Sequence, residues 1–211
     1  HSDSSAASDV YKRQIQNPLG GIKGMLQLLE RDLKDSGMET EPAKMMFSEI
    51  ERIERLLKQL LMHSHPMPIK SQSFNLHELL DTVLSFERSS HPGLRFTAYY
   101  DASLPDIEAD RDKLHQVFLN LVRNASEACP ADGRVRVLTR HCAHWELAGT
   151  NLDPTRRYIL VSIEDEGPGI PEELRKNIFK PLFSTKKQGT GLGLSISFRL
   201  VESHGGQLRY Q

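Results

Sequence analysis

The sequence has two cysteines, one tryptophan and no long apolar run. Each scarcity excludes something. Cys129 and Cys142 match neither a disulfide framework nor the ligand spacing of a structural metal site, so they read as free thiols of a reducing compartment. No stretch approaches the roughly 20 apolar residues that a membrane helix needs, and no signal-peptide pattern is present. A cytoplasmic chain without a membrane segment is therefore expected. The charge is nearly balanced, 27 basic against 28 acidic residues. Such a chain has no overall basic field to gather nucleic acid, and none is expected as a partner. What remains is 38% hydrophobic and 26% charged over 211 residues. That suits a soluble protein with at least one core, in one domain or two small ones.

Residues 1–12, HSDSSAASDVYK, are small, polar and without period. They read as disordered or as a non-native junction, to be kept out of fold reasoning. A heptad pattern then begins. Ile15, Leu19, Ile22, Leu26, Leu29 and Leu33 are spaced 4, 3, 4, 3, 4, and after DSG at 35–37 the spacing resumes at Met46, Ile50, Ile53, Leu57 and Leu60. Pro42 suits the first turn of the second helix. One helical hairpin has little core, so its seam is expected to pair with a second copy as a four-helix bundle. The alternative is a helix pair packed on the rest of the chain. Two prolines and several small polar residues in HSHPMPIKSQS, 63–73, forbid a long helix. His63 and His65 there lack further ligands and read as solvated.

From residue 74 the pattern is mixed. Helices are expected over 74–88, 110–128, 171–179 and 194–205, and strands over 94–100, 134–140, 158–165 and 206–210. This is an α+β sandwich, with helices covering one face of a sheet. The expected divisions are a junction over 1–13, a hairpin over 14–65, a linker over 66–73 and the mixed domain over 74–211.

Three stretches carry chemistry. Asn120 and Asn124 lie four apart on the long helix and share a face. Alone, such a pair is most simply two locally satisfied amides. DEGPGIP, 165–171, follows a strand; Asp165 can accept a hydrogen bond from an exocyclic amine, and Gly167 and Gly169 let a planar ligand approach. A plain Pro-Gly turn is the simpler alternative. KKQGTGLGLSI, 186–196, is a glycine-rich loop opening a helix, where backbone N–H groups and the helix end can meet phosphate. It is neither a Walker A loop nor a dinucleotide fingerprint.

In this order, together with Phe179 and Phe183 in IFKPLFSTK, the three resemble the ATP-binding domain shared by histidine kinases, type II topoisomerases, Hsp90 chaperones and mismatch-repair proteins. Within that superfamily the chain looks like a two-component sensor histidine kinase from about residue 14 onward. It is most similar to the nitrogen-regulation sensor kinases, through NPLGGIKG, LNLVRNASEA and PLFSTKKQGTGLGLSI. The resemblance implies a dimerising phosphotransfer hairpin followed by an α/β-sandwich that binds ATP and Mg²⁺, a homodimer through the hairpin, and a response-regulator receiver domain as partner.

It also implies roles. Asn124 would coordinate Mg²⁺, and Asn120 would sit beside the triphosphate. Asp165 would read the adenine amino group, and Gly167, Gly169 and Ile170 would shape its pocket. Residues 179–190 would form a lid. Lys186 and Lys187 would meet phosphate charge, and Gly189, Thr190, Gly191, Leu192 and Gly193 would cradle it. Hydrolytic members of the superfamily carry glutamate where Asn120 stands. An amide cannot act as general base toward water, which points to transfer onto a protein side chain.

The family's first helix reads His-Glu-Ile-x-Asn-Pro-Leu. Ile15, Asn17, Pro18 and Leu19 match, but Arg13 stands at the phosphoacceptor place and Gln14 at the glutamate place. A guanidinium stays protonated and cannot attack phosphorus. The chain as written is expected to bind ATP without phosphorylating itself. Asn17 would help orient water when a phosphorylated partner is dephosphorylated. Either this is a pseudokinase, or native sequence starts near Gln14 and the histidine was lost at a junction; the abrupt change of composition favours the junction. The last strand of the family fold is also missing after GGQLRY, as in a fragment. An anti-sigma-type serine kinase uses a similar domain, but the NPL-bearing hairpin argues against it.

Overall fold

The computed structural model describes residues 17–62, 68–186 and 190–210. The chain divides into two compact units, residues 1–66 and 67–211.

In the first unit, α1 (Asn17–Asp35) and α2 (Glu41–Met62) pack as a hairpin. The break at DSG has a local cause. Gly37 takes φ +67°, Gly37 N–H donates to Lys34 O and Met38 N–H to Leu33 O. That is a Schellman closure of α1, which glycine's missing Cβ allows. Leu26, Ala43 and Ile50 are buried between the helices. Lys23 bonds Glu51 at 3.0 Å and lies over the Phe47 ring. Other seam residues remain outside this small core: Ile22, Leu29, Met46 and Ile53 are exposed. The seam therefore has more apolar surface than one hairpin covers.

The second unit begins with β1 (Gln72–Phe74), which pairs antiparallel with β3 (Ile107–Ala109). Helix α3 (Leu76–Ser90) starts where the Asn75 side chain accepts the His77 and Glu78 N–H groups. The main sheet has the order β2 (Arg95–Tyr99), β4 (Arg134–His141), β5 (Ile159–Asp165), with β2 parallel and β5 antiparallel to β4. Along β4, Val135, Val137 and Thr139 are buried while Arg136 and Arg140 face out, the period-two alternation of a one-sided sheet. Helices α3, α4 (Arg111–Ala128) and α6 (Gly193–Ser203) form the covering layer, with α4 central: it packs on α3, α6, β4 and β5. The core joins Leu79, Leu80, Val83 and Leu84 of α3, Val117 and Val122 of α4, and Ile196 and Leu200 of α6. This is the expected α+β sandwich.

Several local expectations are corrected. The helix expected over 171–179 is only α5 (Glu172–Arg175), followed by turns. Phe74 belongs to β1, because the Asn75 cap fixes the start of α3 one residue later. Residues 206–210 form no strand; they follow a turn at Gly205 (φ +71°) without pairing to a described strand. A 3-10 turn over His144–Leu147, between β4 and β5, had no clear sequence signal; Arg140 and the Ala143 N–H hold Glu146 there, lowering its carboxyl to about 2. Among the described residues no helix is long and apolar enough to cross a membrane.

Candidate functional site

Helix α4 organises the candidate site. Asp110 caps it, accepting the Lys113 N–H at 3.2 Å and the Lys70 N–H at 2.9 Å, while its own N–H donates to His204 Nε2 at 3.1 Å. The Lys70 amide, with Lys113 nearby, holds the Asp110 carboxyl below its ordinary value. The start of α4 is thus tied to the end of α6.

Asn120, Asn124 and Ala128 follow on successive turns of one face, spanning about 12 Å along the axis. Each meets a different glycine-rich or lysine-bearing segment. Asn120 Nδ2 donates to Ser197 Oγ at 2.9 Å, and a Cβ on Gly193 would fall onto the Asn120 amide. Asn124 Oδ1 accepts from Lys186 Nζ at 3.3 Å, and the same ammonium pairs with Glu127 Oε2. At Gly167 a Cβ would lie 2.8 Å from Ala128 O and 2.6 Å from Asp165 Oδ1. The Gly167 turn and the lysine- and glycine-bearing stretch that runs into α6 thus meet along one helix.

Asp165 ends β5 and is exposed; its Oδ1 accepts the Gly167 N–H at 2.9 Å. Its Oδ2 has no hydrogen bond among the described residues, so it can accept one from a ligand amine. Its chain neighbours are occupied: Glu164 pairs with Arg136 and Glu166 with Arg134. Beyond it, Gly169 adopts φ +72°. Both backbone groups of Ile170 are held by side chains: its N–H donates to Tyr210 Oη at 3.1 Å, and its O accepts from Arg175 Nε at 3.0 Å. Arg175 also lies over the Tyr210 ring.

The other wall is the segment before α6. Gly191 has φ +65° and sits against the backbone of Leu182 and Phe183. Leu192 is fully buried at the start of α6, its N–H meeting Thr190 Oγ1 at 3.4 Å. The rings of Phe179 and Phe198 pack at 5.2 Å. Arg13, Gln14, Lys187 and Gly189 lie outside the described residues, as do His63 and His65; Asn17 opens α1.

Two chemical capacities follow. The first-turn N–H groups at the glycine-rich start of α6 suit phosphate. The Asn124–Glu127 pair suits a cation, because the Lys186 ammonium stands there as an internal cation. Among the described residues no cluster of three or more His, Cys, Asp or Glu could hold a metal alone. A hard divalent ion bound here would draw its remaining ligands from phosphate and water, as Mg²⁺ commonly does. A separate concavity of about 570 Å³, lined by Tyr99, Tyr100, Leu138, Arg140 and Glu146 among others, shares no residue with this arrangement except through the sheet itself.

Sequence reasoning overlooked Glu127, Ser197, Arg175 and Tyr210. Glu127 was within reach, since it lies one turn beyond Asn124. The other three act across the fold and carried no local signal.

Comparison with known proteins gives the family. The family described as histidine kinase-, DNA gyrase B- and HSP90-like ATPase matches residues 109–211, and the His Kinase A (phospho-acceptor) domain matches residues 10–65. The sensory histidine kinase/phosphatase NtrB of Azospirillum brasilense is 34% identical over 98% of this chain and 52% of its own length. NtrB of Salmonella typhimurium is also 34% identical, over 100% of this chain and 60% of its own. The chain therefore spans a little over half the length of these relatives. Among solved structures, the catalytic domain of histidine kinase ThkA is 35% identical, with TM-score 0.52 over 63% of this chain and 80% of that one. Histidine kinase ThkA in complex with response regulator protein TrrA aligns over 98% of this chain and 59% of that one, at 25% identity and TM-score 0.58.

Proposed function

This chain belongs to the sensor histidine kinase family, and we propose that it is the core of a protein-histidine kinase. Such a core moves the γ-phosphoryl group of ATP to a histidine and then to an aspartate of a response-regulator receiver domain. In this reading residues 14–65 form the dimerising phosphotransfer hairpin and residues 74–211 the ATP-binding domain, working in the cytoplasm. The exposed seam residues Ile22, Leu29, Met46 and Ile53 support a homodimer through the hairpin, because a second copy would cover them. The receiver partner is supported by the solved complex of the relative ThkA with a response regulator.

The observation that carries the proposal is the alignment of Asn120, Asn124 and Ala128 beneath the start of α6, Lys186 and the Gly167 turn. The site has one end suited to a base and another suited to phosphates. Asp165 accepts the adenine amine, with Gly167, Gly169 and Ile170 shaping the pocket around the ring. Gly189, Thr190, Gly191, Leu192 and Gly193 direct backbone N–H groups at phosphate, helped by Lys186 and Lys187. Asn124 contributes a neutral amide oxygen to Mg²⁺, and Asn120 lies toward the triphosphate. Bound Mg²⁺ would neutralise phosphate charge. Asn120 has no basic lone pair to activate water, so the site favours transfer over hydrolysis.

The chain's own acceptor place holds Arg13, followed by Gln14, with Asn17 as the polar residue four positions on. Arginine cannot accept the phosphoryl group as histidine does. That residue favours a second reading, a nucleotide-binding pseudokinase that signals by conformation. Incorporation from γ-labelled MgATP separates the two, comparing this chain with Arg13→His plus Gln14→Glu. Acid-labile, base-stable label on the changed protein alone is the expected result. Label on the unchanged chain refutes the reading of Arg13. Absence of label from both, with nucleotide bound, favours the pseudokinase.

A further inference from the structure

Glu127 is a carboxylate placed beside the proposed phosphate end of the site, where it would repel a nucleotide. It lies one turn after Asn124 on α4, and both side chains converge on the ammonium of Lys186. Lys186 arrives from the segment before α6, and its own backbone N–H is fixed by Ser184 Oγ at 3.1 Å. An amide oxygen and a carboxylate oxygen around one cation form a small oxygen-lined cation site.

Resting on the nucleotide-binding reading above, we propose that Asn124, Glu127 and Lys186 form a cation-exchange site, in which the Lys186 ammonium holds the place that the Mg²⁺ of an incoming nucleotide takes. The electrostatics favour exchange. Without a cation, Glu127 and a polyphosphate of charge near −4 would oppose each other. An ammonium offsets one unit of that repulsion. A divalent ion offsets two and can ligate phosphate and carboxylate together. Glu127 thereby makes nucleotide affinity strongly dependent on the divalent ion, and Lys186, once displaced, is free to turn toward phosphate. Glu127 is a specificity-determining residue for metal-loaded over metal-free nucleotide.

Lys186 and Glu127 are 43% and 41% exposed, so solvent screens the effect and moderate changes are expected. The test uses the whole chain and the non-hydrolysable analogue AMPPNP, with affinity measured by calorimetry in EDTA and across a Mg²⁺ series. Its readout is the ratio of metal-free to Mg²⁺-saturated Kd. Glu127→Gln lowers this ratio by about three- to tenfold, chiefly by tightening metal-free binding. Lys186→Met moves it the opposite way and lowers the Mg²⁺ concentration for half-maximal binding by a similar factor. In the double variant the two effects are non-additive, because the groups are partners in the free state. Glu127→Asp keeps the wild-type ratio.

General damage to the site would weaken binding equally with and without Mg²⁺, and that outcome overturns the inference. So does an unchanged ratio in Glu127→Gln, or additivity in the double variant. Binding with an unaltered ratio leaves the nucleotide reading standing. Failure of the unchanged chain to bind AMPPNP under any condition, with its fold verified by circular dichroism, refutes that reading and this inference together.

Discussion

Gly191→Ala tests the packing at the proposed phosphate end of the site. Gly191 has φ +65°, and a Cβ there would stand 2.6 Å from Phe183 N and 2.7 Å from Leu182 O. Two costs arise. A left-handed conformation costs a non-glycine residue about 1–2 kcal/mol. Inserting a methyl group against backbone that cannot rotate aside costs about 1–3 kcal/mol more. Leu182 has little room to yield, since it already sits at φ 65°. Gly149→Ala is the matched control: its φ is +75°, but nothing lies within 4 Å of the added carbon. The backbone cost and the change in the unfolded chain are common to both variants, so their difference isolates the clash. For a domain of this size, 1 kcal/mol corresponds to about 2–4 °C in Tm. Thermal unfolding followed by circular dichroism should place Gly191→Ala about 3–10 °C below Gly149→Ala. If the segment instead lifts away locally, the Phe183 amide, which donates to Lys180 O, should exchange faster in Gly191→Ala alone. Equal melting temperatures with equal exchange would refute the close seating of Gly191 on Leu182 and Phe183.

Two further outcomes are expected. Asp110→Ala removes the cap of α4 and an acceptor for the Lys70 N–H, lowering stability by about 1–2 kcal/mol near neutral pH. Because the folded-state value of Asp110 is depressed, its contribution is present above the unfolded carboxylate value of about 4 and is lost as pH falls through the lower folded value. The gap between wild type and variant in denaturant titrations should close toward acid pH, and a constant gap from neutral to strongly acid pH would sink this role. In the hairpin, Leu29→Glu puts a charge on an exposed seam position and should convert a dimer to monomer in sedimentation experiments; a persisting dimer refutes that seam as the interface.

How much of this was legible in the sequence depended on how local the cause was. The heptad spacing, the break at DSG and the alternation of β4 each arise within a few residues, and the hairpin, α3, α4 and the three main strands were expected from such patterns; the Asn75 cap was not read, and α3 was begun too early for that reason. The short pairing of β1 with β3 joins three-residue strands more than thirty positions apart, too brief for a periodic signal. GQLRY has a strand-like composition, yet a strand needs a neighbour to bond, and none among the described residues pairs with it. The helix expected over 171–179 stops after one turn, and downstream Phe179 instead packs on Phe198 of α6. At the site, the residue types were recognisable, but the partners were not. No spacing rule connects Ser197 to Asn120 or Tyr210 to Ile170.

The two asparagines show why partners matter more than motif. Read alone, an Asn-x-x-x-Asn face suggests two locally satisfied amides or a ligand site, and the fold gives each residue a share of both. Asn120 uses its N–H to bond Ser197 beneath the first turns of α6. A glutamate there is one methylene longer and would press on the start of α6, where even a Cβ added at Gly193 would lie 2.3 Å from Asn120 Oδ1. The amide at 120 is therefore favoured by packing. Among the described residues the Asn124 side chain, one turn on, has only a lysine from the neighbouring segment as its partner, and a side chain can leave where a helix cannot. On the proposed reading, structural satisfaction at the first position and exchangeable satisfaction at the second would divide α4 into a fixed anchor and a site open to a ligand.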